Sequence, residues 1–320
     1  MHRPLSVERS PAPKGAGGPA GSGHAALRRG RAQMREWKGG LFIAPHMLVL
    51  ALFMLAPTLY AVYQSLFTTK LIGGTSFSGF ANYSTVLQSS EFWSGVDRVL
   101  LFAVIQVPVT LVLAFFFAVI FEAGVVPFDR FFRTLFFMPF AVPGVVASVM
   151  WSFLLLPHFG PYVKILSDLS VKNVNFFSSG LILPVIVMIV IWEWTGYNMT
   201  VLYTALQAFP REVVEAAIAD GASFSRIALR LKLPAVLPTI TMLVFINTVG
   251  ALQLFTEPSI LSAFQPQAIS FGFTPSLYVY NTAVGSGEYN LGAAAAVLLA
   301  LIIGLLSVGA LALRRGDRRI

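Results

Sequence analysis

The chain has 320 residues, of which 56% are hydrophobic and only 11% charged, and a formal net charge of +8. A soluble domain of this length carries about a quarter charged residues, so most of this chain must face something other than water. Cys is absent, which removes disulfides, thiolate metal sites and redox roles from consideration.

Residues 1–38 are rich in Gly, Pro, Ala and Arg without an apolar period, and are read as a disordered, basic cytoplasmic tail. The first apolar run starts at Leu41 and is too long for a signal peptide, so a retained helix is expected. Residues 39–320 then read as a six-helix transmembrane domain, because six stretches reach the ~20 residues a bilayer requires. They lie near 41–66, 99–121, 135–156, 181–203, 239–261 and 291–313. The loop over 68–97 carries Phe80, Tyr83, Phe92 and Trp93, residues suited to a short interfacial helix. The sequons at Asn82 and Asn198 are taken as chance, and no phosphate-binding loop is present.

Lys and Arg set the orientation. With six spans, the two tails and the loops after spans two and four share one side, which holds eighteen of the 22 basic residues. The other side holds Lys70, Arg98, Lys164 and Lys172. The eighteen-to-four split places both termini in the cytoplasm. The basic charge is therefore a topology signal, and nucleic acid is not expected as a partner.

Between spans four and five lies a cytoplasmic loop, 205–238, with the pattern of a helix–turn–helix bracket. Pro210 suits a first helical turn, and Glu212 and Glu215 favour the positive end of its dipole. Val213, Val214, Ala217 and Ile218 fall on one stripe. Gly221 provides a left-handed stop, Ser223 caps a second short helix with Phe224, Ile227 and Leu231 on one face, and Pro234 is expected to end it. By shape alone this bracket is either a docking element or an ordinary amphipathic interface loop.

The spaced frame of Leu206, Pro210, Glu215-Ala216-Ala217, Asp220-Gly221-Ala222, Ile227, Leu233-Pro234 and Pro238 resembles the EAA loop of permease subunits of binding-protein-dependent ABC importers. Three further stretches are similar to the maltose-type carbohydrate branch, and specifically to its maltose-F-like subunit. These are Phe80-Ala81-Asn82-Tyr83 with Phe92-Trp93, Gly196-Tyr197-Asn198-Met199, and Tyr278-Val279-Tyr280-Asn281-Thr282-Ala283. A Thr-Gly-Gly-Pro-like turn that often follows span five in that branch is replaced by Leu261-Ser-Ala-Phe-Gln-Pro266, which leaves the cargo open.

The resemblance implies an all-α, type I ABC importer permease in a bacterial inner membrane. It implies a second homologous permease, two ATPase subunits, an extracytoplasmic binding protein and a sugar cargo, with no cofactor in this chain. Glu215, Ala216, Ala217, Asp220, Gly221 and Ala222 would couple to the ATPase. The cargo pathway would draw on Trp194, Tyr197, Asn198, Asn247, Gly250 and Gln253, since sugars need hydrogen-bonding side chains and flat aromatic faces. Each polar member has a second reading as a helix–helix contact; for Asn247 that reading is preferred.

Glu193 sits mid-span, where an ionised carboxylate costs about 2.5–3.5 kcal/mol, so it is expected to face the bundle interior or to be protonated. Glu257 is expected to escape to the interface. A glycerol phosphate or similar polyol ester is the alternative cargo, although the mid-spans contain no Lys or Arg. A secondary transporter would predict inverted repeats and more mid-membrane charge. An enzyme would need a grouping that the scattered His2, His24, His46 and His158 do not form.

Overall fold

Several of the places where the helices of this chain change course lie at prolines. The structure, a computed structural model, describes residues 42–70, 72–157, 159–169 and 174–316; the expected tail over 1–38, His158, Lys172, Arg318 and Arg319 lie outside them. The chain divides into two compact units, Met1–Tyr60 and Ala61–Ile320. The described part of the first is helical and has no buried residue.

In chain order the elements are α1 (Phe42–Ser65), β1 (Phe67–Lys70), β2 (Gly74–Phe77), α2 (Ala81–Gln88) and α3 (Ser90–Glu122). There follow α4 (Asp129–Ala141), α5 (Gly144–Leu154), α6 (Pro161–Asp168) and α7 (Ile182–Gln207). The remainder is α8 (Arg211–Ala219), α9 (Phe224–Ile227), α10 (Leu233–Leu252), α11 (Thr256–Phe264), α12 (Pro275–Tyr280) and α13 (Tyr289–Gly316). Five helices are long and apolar enough to span a membrane, and a sixth span is reached if α4 and α5 are taken together.

Four features depart from the sequence expectations. The chain is not purely helical: β1 and β2 form an antiparallel hairpin with Thr68 opposite Ser76. Its turn uses Gly73 and Gly74, both at positive φ, and β-branched Thr68 and Thr69 favour the extended state. The run over 135–156 is not one straight helix, because α4 and α5 meet at 97°. Pro143 forces the break: Val142 before it is extended, as the proline ring requires of its predecessor. The second span begins at Ser90 rather than near 99, capped by the Ser89 hydroxyl, which accepts from Phe92 N.

The fourth departure concerns Pro234, which does not end a helix. The chain runs from α9 into α10 through a π-helical turn, Ala228–Lys232, in which Leu233 N–H reaches the Ala228 carbonyl. A wide turn just before a proline accommodates the missing N–H and the ring's clash with the preceding turn. A second π-turn, Ala51–Leu55, precedes Pro57 in α1 in the same way.

In the second unit α7 is the central helix, packed against α3, α4 and α10. Its buried Ile182, Ile186, Ile189, Met199, Leu202 and Leu206 meet Phe102 of α3 and Leu243 of α10 in one cluster. The motifs of the loop regions prove to be packing devices. Asn82 is buried and donates to the carbonyls of Ser65 (2.9 Å) and Phe67 (2.7 Å), while Tyr83 OH shares a hydrogen bond with Ser65 Oγ. Tyr278 packs its ring edge-on against Phe92. Both stretches tie the ends of the long helices together.

Candidate functional site

Two places can carry function: the bracket between α7 and α10, and a cavity with several polar side chains in its wall at the far end of α10.

The bracket forms as its residues dictate. Pro210, extended, precedes α8, whose stop is Gly221 at φ +76, a conformation that a side chain makes costly. Ala222 N–H closes the turn onto the Ala217 carbonyl at 2.9 Å, the six-to-one bond of a Schellman stop. Ser223 Oγ then accepts from Arg226 N. The stripe of α8 is not covered by the described chain: no residue of α8 is buried, Ile218 is 59% exposed, and Val213 and Phe224 are exposed with it. Glu215 is exposed and makes no ion pair among the described residues. Ile227 and Ala228 are buried and root the bracket in the core. At that root Lys232, 3% exposed, forms a salt bridge with Glu122 at the end of α3. Neither residue stood out in the sequence, because a single Lys and a single Glu 110 positions apart carry no pairing signal.

The cavity, about 190 Å³, lies among α3, α7, α10 and the start of α11. It is lined by Trp194, Asn247, Gly250 and Gln253 of the expected pathway set, and also by Gln106 and Glu257. Tyr197 and Asn198 are not in the lining. Tyr197 stacks on Phe140, centroids 4.7 Å apart, and Trp194 meets both rings edge-on. Asn198 and Asn247 hydrogen-bond each other across the α7–α10 contact at 2.8 and 3.3 Å. Their remaining amide N–H groups donate to the carbonyls of Trp194 and Leu243. Every amide N–H of the two residues is thereby engaged within the protein. A far larger groove, about 1440 Å³, runs along α3, α4 and α7. Half of its lining residues are Leu, Ile, Val or Met, which suits a lipid chain or a helix better than a hydroxylated solute.

Glu257 does not escape to the interface. The helix breaks after Leu252, and α11 turns Glu257 inward, leaving it 9% exposed. Glu193, 5% exposed, approaches the same spot from α7. The sequence marked Glu193 as costly but contained no sign that a broken helix would bring a second carboxylate beside it.

A family model described as the binding-protein-dependent transport system inner membrane component matches residues 110–319. The chain belongs to that family. This permease is 29% identical over 273 residues to the lactose transport system permease of Rhizobium radiobacter, covering 84% of this chain and 91% of that one. It is equally 29% identical, over 282 residues, to the sn-glycerol-3-phosphate transport system permease of Agrobacterium fabrum (strain C58 / ATCC 33970), covering 88% and 94%. A chain from a bacterial ABC transporter involved in the import of the acidic polysaccharide alginate has the same fold. That likeness has a TM-score of 0.79 at 21% identity and covers 92% of the permease and 99% of that chain.

Proposed function

We propose that this permease forms half of the translocation pathway of an ATP-driven importer in a bacterial inner membrane, with a sugar as cargo. A second homologous permease completes the pathway, two ATPase subunits dock beneath it, and an extracytoplasmic binding protein delivers the cargo. Both termini and the bracket face the cytoplasm, where the excess of Lys and Arg lies. The observation that carries the reading is the bracket: a short, stiff, capped element rooted in the core, whose acidic Glu215 and apolar Val213, Ile218 and Phe224 have no cover within the described chain. Ligand sites for small molecules run to roughly 300–1,000 Å³. A cavity of about 190 Å³ is about half of one, as expected where a partner permease supplies the other wall.

The sugar is supported by the lactose relative and by the character of the cavity, with the Trp194 ring, the Gln106 and Gln253 amides, and no Lys, Arg or His among the described residues that line it. A polyol phosphate is the second reading, favoured only by the name of the glycerol-phosphate relative.

ATPase activity of the reconstituted complex, with and without loaded binding protein, tests the coupling. Charge-assisted hydrogen bonds contribute about 1.5–3 kcal/mol, so Glu215→Ala should weaken docking by roughly ten- to a hundredfold and abolish stimulation without preventing membrane insertion. Gly221→Val forces a β-branched residue into the left-handed region at about 1–3 kcal/mol and should distort the same contact. Normal stimulation in both variants would remove the bracket from the coupling path.

A further inference from the structure

Glu193, midway along the unbroken α7, and Glu257, in the first turn of α11, both come close to one point, the start of α5. A Cβ on Gly144 would lie 3.4 Å from Glu257 Oε1, 3.5 Å from Thr256 Cγ2 and 3.8 Å from Glu193 Oε1. Both carboxylates therefore lie close to the α5 start, at ordinary contact distance from where a side chain at 144 would begin. The helix that begins at Gly144 has no side-chain cap, so its first peptide N–H groups and the positive end of its dipole are presented where the carboxylates gather. Glu193 Oε1 is fully buried and has no hydrogen-bond partner among the described residues. A buried carboxylate oxygen left unpaired is costly, and it marks a place where a further donor is expected. The cavity wall that Glu257 forms is continuous with Thr256, Gln253 and Trp194.

We propose that Glu257, at the positive end of α5, is a charge filter in the cavity: it receives the hydroxyl groups of neutral or cationic polyhydroxylated cargo and rejects anionic cargo. This rests on the reading that the cavity lies on the cargo pathway. The chemistry is direct. A carboxylate accepts two hydroxyl donors of a sugar ring, and an ammonium group of an amino sugar is favoured further. A phosphate or uronate would meet the carboxylate with no Lys, Arg or His among the described lining residues to offset it. Discrimination then comes from a repulsive element rather than from tighter contacts to the preferred cargo.

The test is saturation-transfer NMR on the purified complex with its native partner subunits, without binding protein, at pH 7. The probes are lactose, glucosamine and glucuronate. In the unaltered complex lactose and glucosamine should receive saturation, with glucuronate roughly tenfold weaker. Glu257→Gln keeps the shape and removes the charge, and should bring glucuronate to within about threefold of lactose. Glucuronate matching lactose in the unaltered complex would overturn the filter, and that measurement needs no variant to fold. Discrimination unchanged in Glu257→Gln and in Glu193→Gln would also overturn it. Sugar contact that shows no charge preference, but is lost in Trp194→Ala, would sink the filter and leave the pathway standing. No contact with any probe, or contact indifferent to Trp194→Ala and Gln253→Ala, would remove the cavity from the pathway and the filter with it.

Discussion

Gly196→Val should leave little correctly folded permease. A Cβ at this position would lie 1.8 Å from the Phe136 carbonyl oxygen, 2.6 Å from its carbon and 2.9 Å from Phe137 Cα. These are backbone atoms of α4, so no side chain can rotate away, and the only relief is to push α4 off α7. Overpacking typically costs about 1–3 kcal/mol, and a clash with rigid backbone belongs at or beyond the top of that range. The displacement would also separate Phe140 from Tyr197 and Trp194, which stack just beyond. Fluorescence-detected size-exclusion of the detergent-extracted complex should show most of the variant aggregated or degraded. Gly304→Ala, where nothing lies within 4 Å of the added carbon, should elute like the unaltered protein. A monodisperse Gly196→Val complex with an unchanged melting temperature would mean that α4 and α7 are not in close contact.

The second large effect is expected at Glu122. Removing its carboxylate, as in Glu122→Gln, leaves Lys232 buried without a counter-charge. Breaking one partner of a buried pair costs about 3–5 kcal/mol, whereas replacing both with apolar residues is often neutral. Glu122→Gln should therefore lower the apparent melting temperature of the complex strongly, and Glu122→Leu with Lys232→Met should recover most of the loss. The pair links the end of α3 to the π-turn from which the bracket hangs. If it also transmits movement, the double variant will be stable yet poorly stimulated by loaded binding protein. A melting temperature of Glu122→Gln equal to that of the unaltered complex would show that the ion pair contributes little.

The composition and the spacing of apolar runs determined a great deal about this protein. That the chain spans a membrane several times, that its helices sit near six stretches, and that a capped two-helix bracket lies between the fourth and fifth all follow from local chemistry. Span length, positive-φ glycine, a serine N-cap and a helix-initiating proline act over a few residues, so they are visible in one dimension. The family resemblance was legible for the same reason, through a spaced frame of short-range signals.

Tertiary structure alone decided what the motif residues do. Gly196-Tyr197-Asn198-Met199 reads in sequence as a candidate cargo contact. In three dimensions Gly196 admits the α4 backbone, Tyr197 stacks on Phe140, Asn198 clasps Asn247, and Met199 is fully buried. Which partner an amide finds in a low-dielectric interior depends on which helix lies across from it, and no periodicity encodes that. The same holds for the 97° bend at Pro143, the π-turn that carries α10 past Pro234, the Glu122–Lys232 pair, and the meeting of Glu193 with Glu257 at Gly144. A proline announces that a helix must change, but whether it stops, widens or bends is settled by the packing that remains available around it.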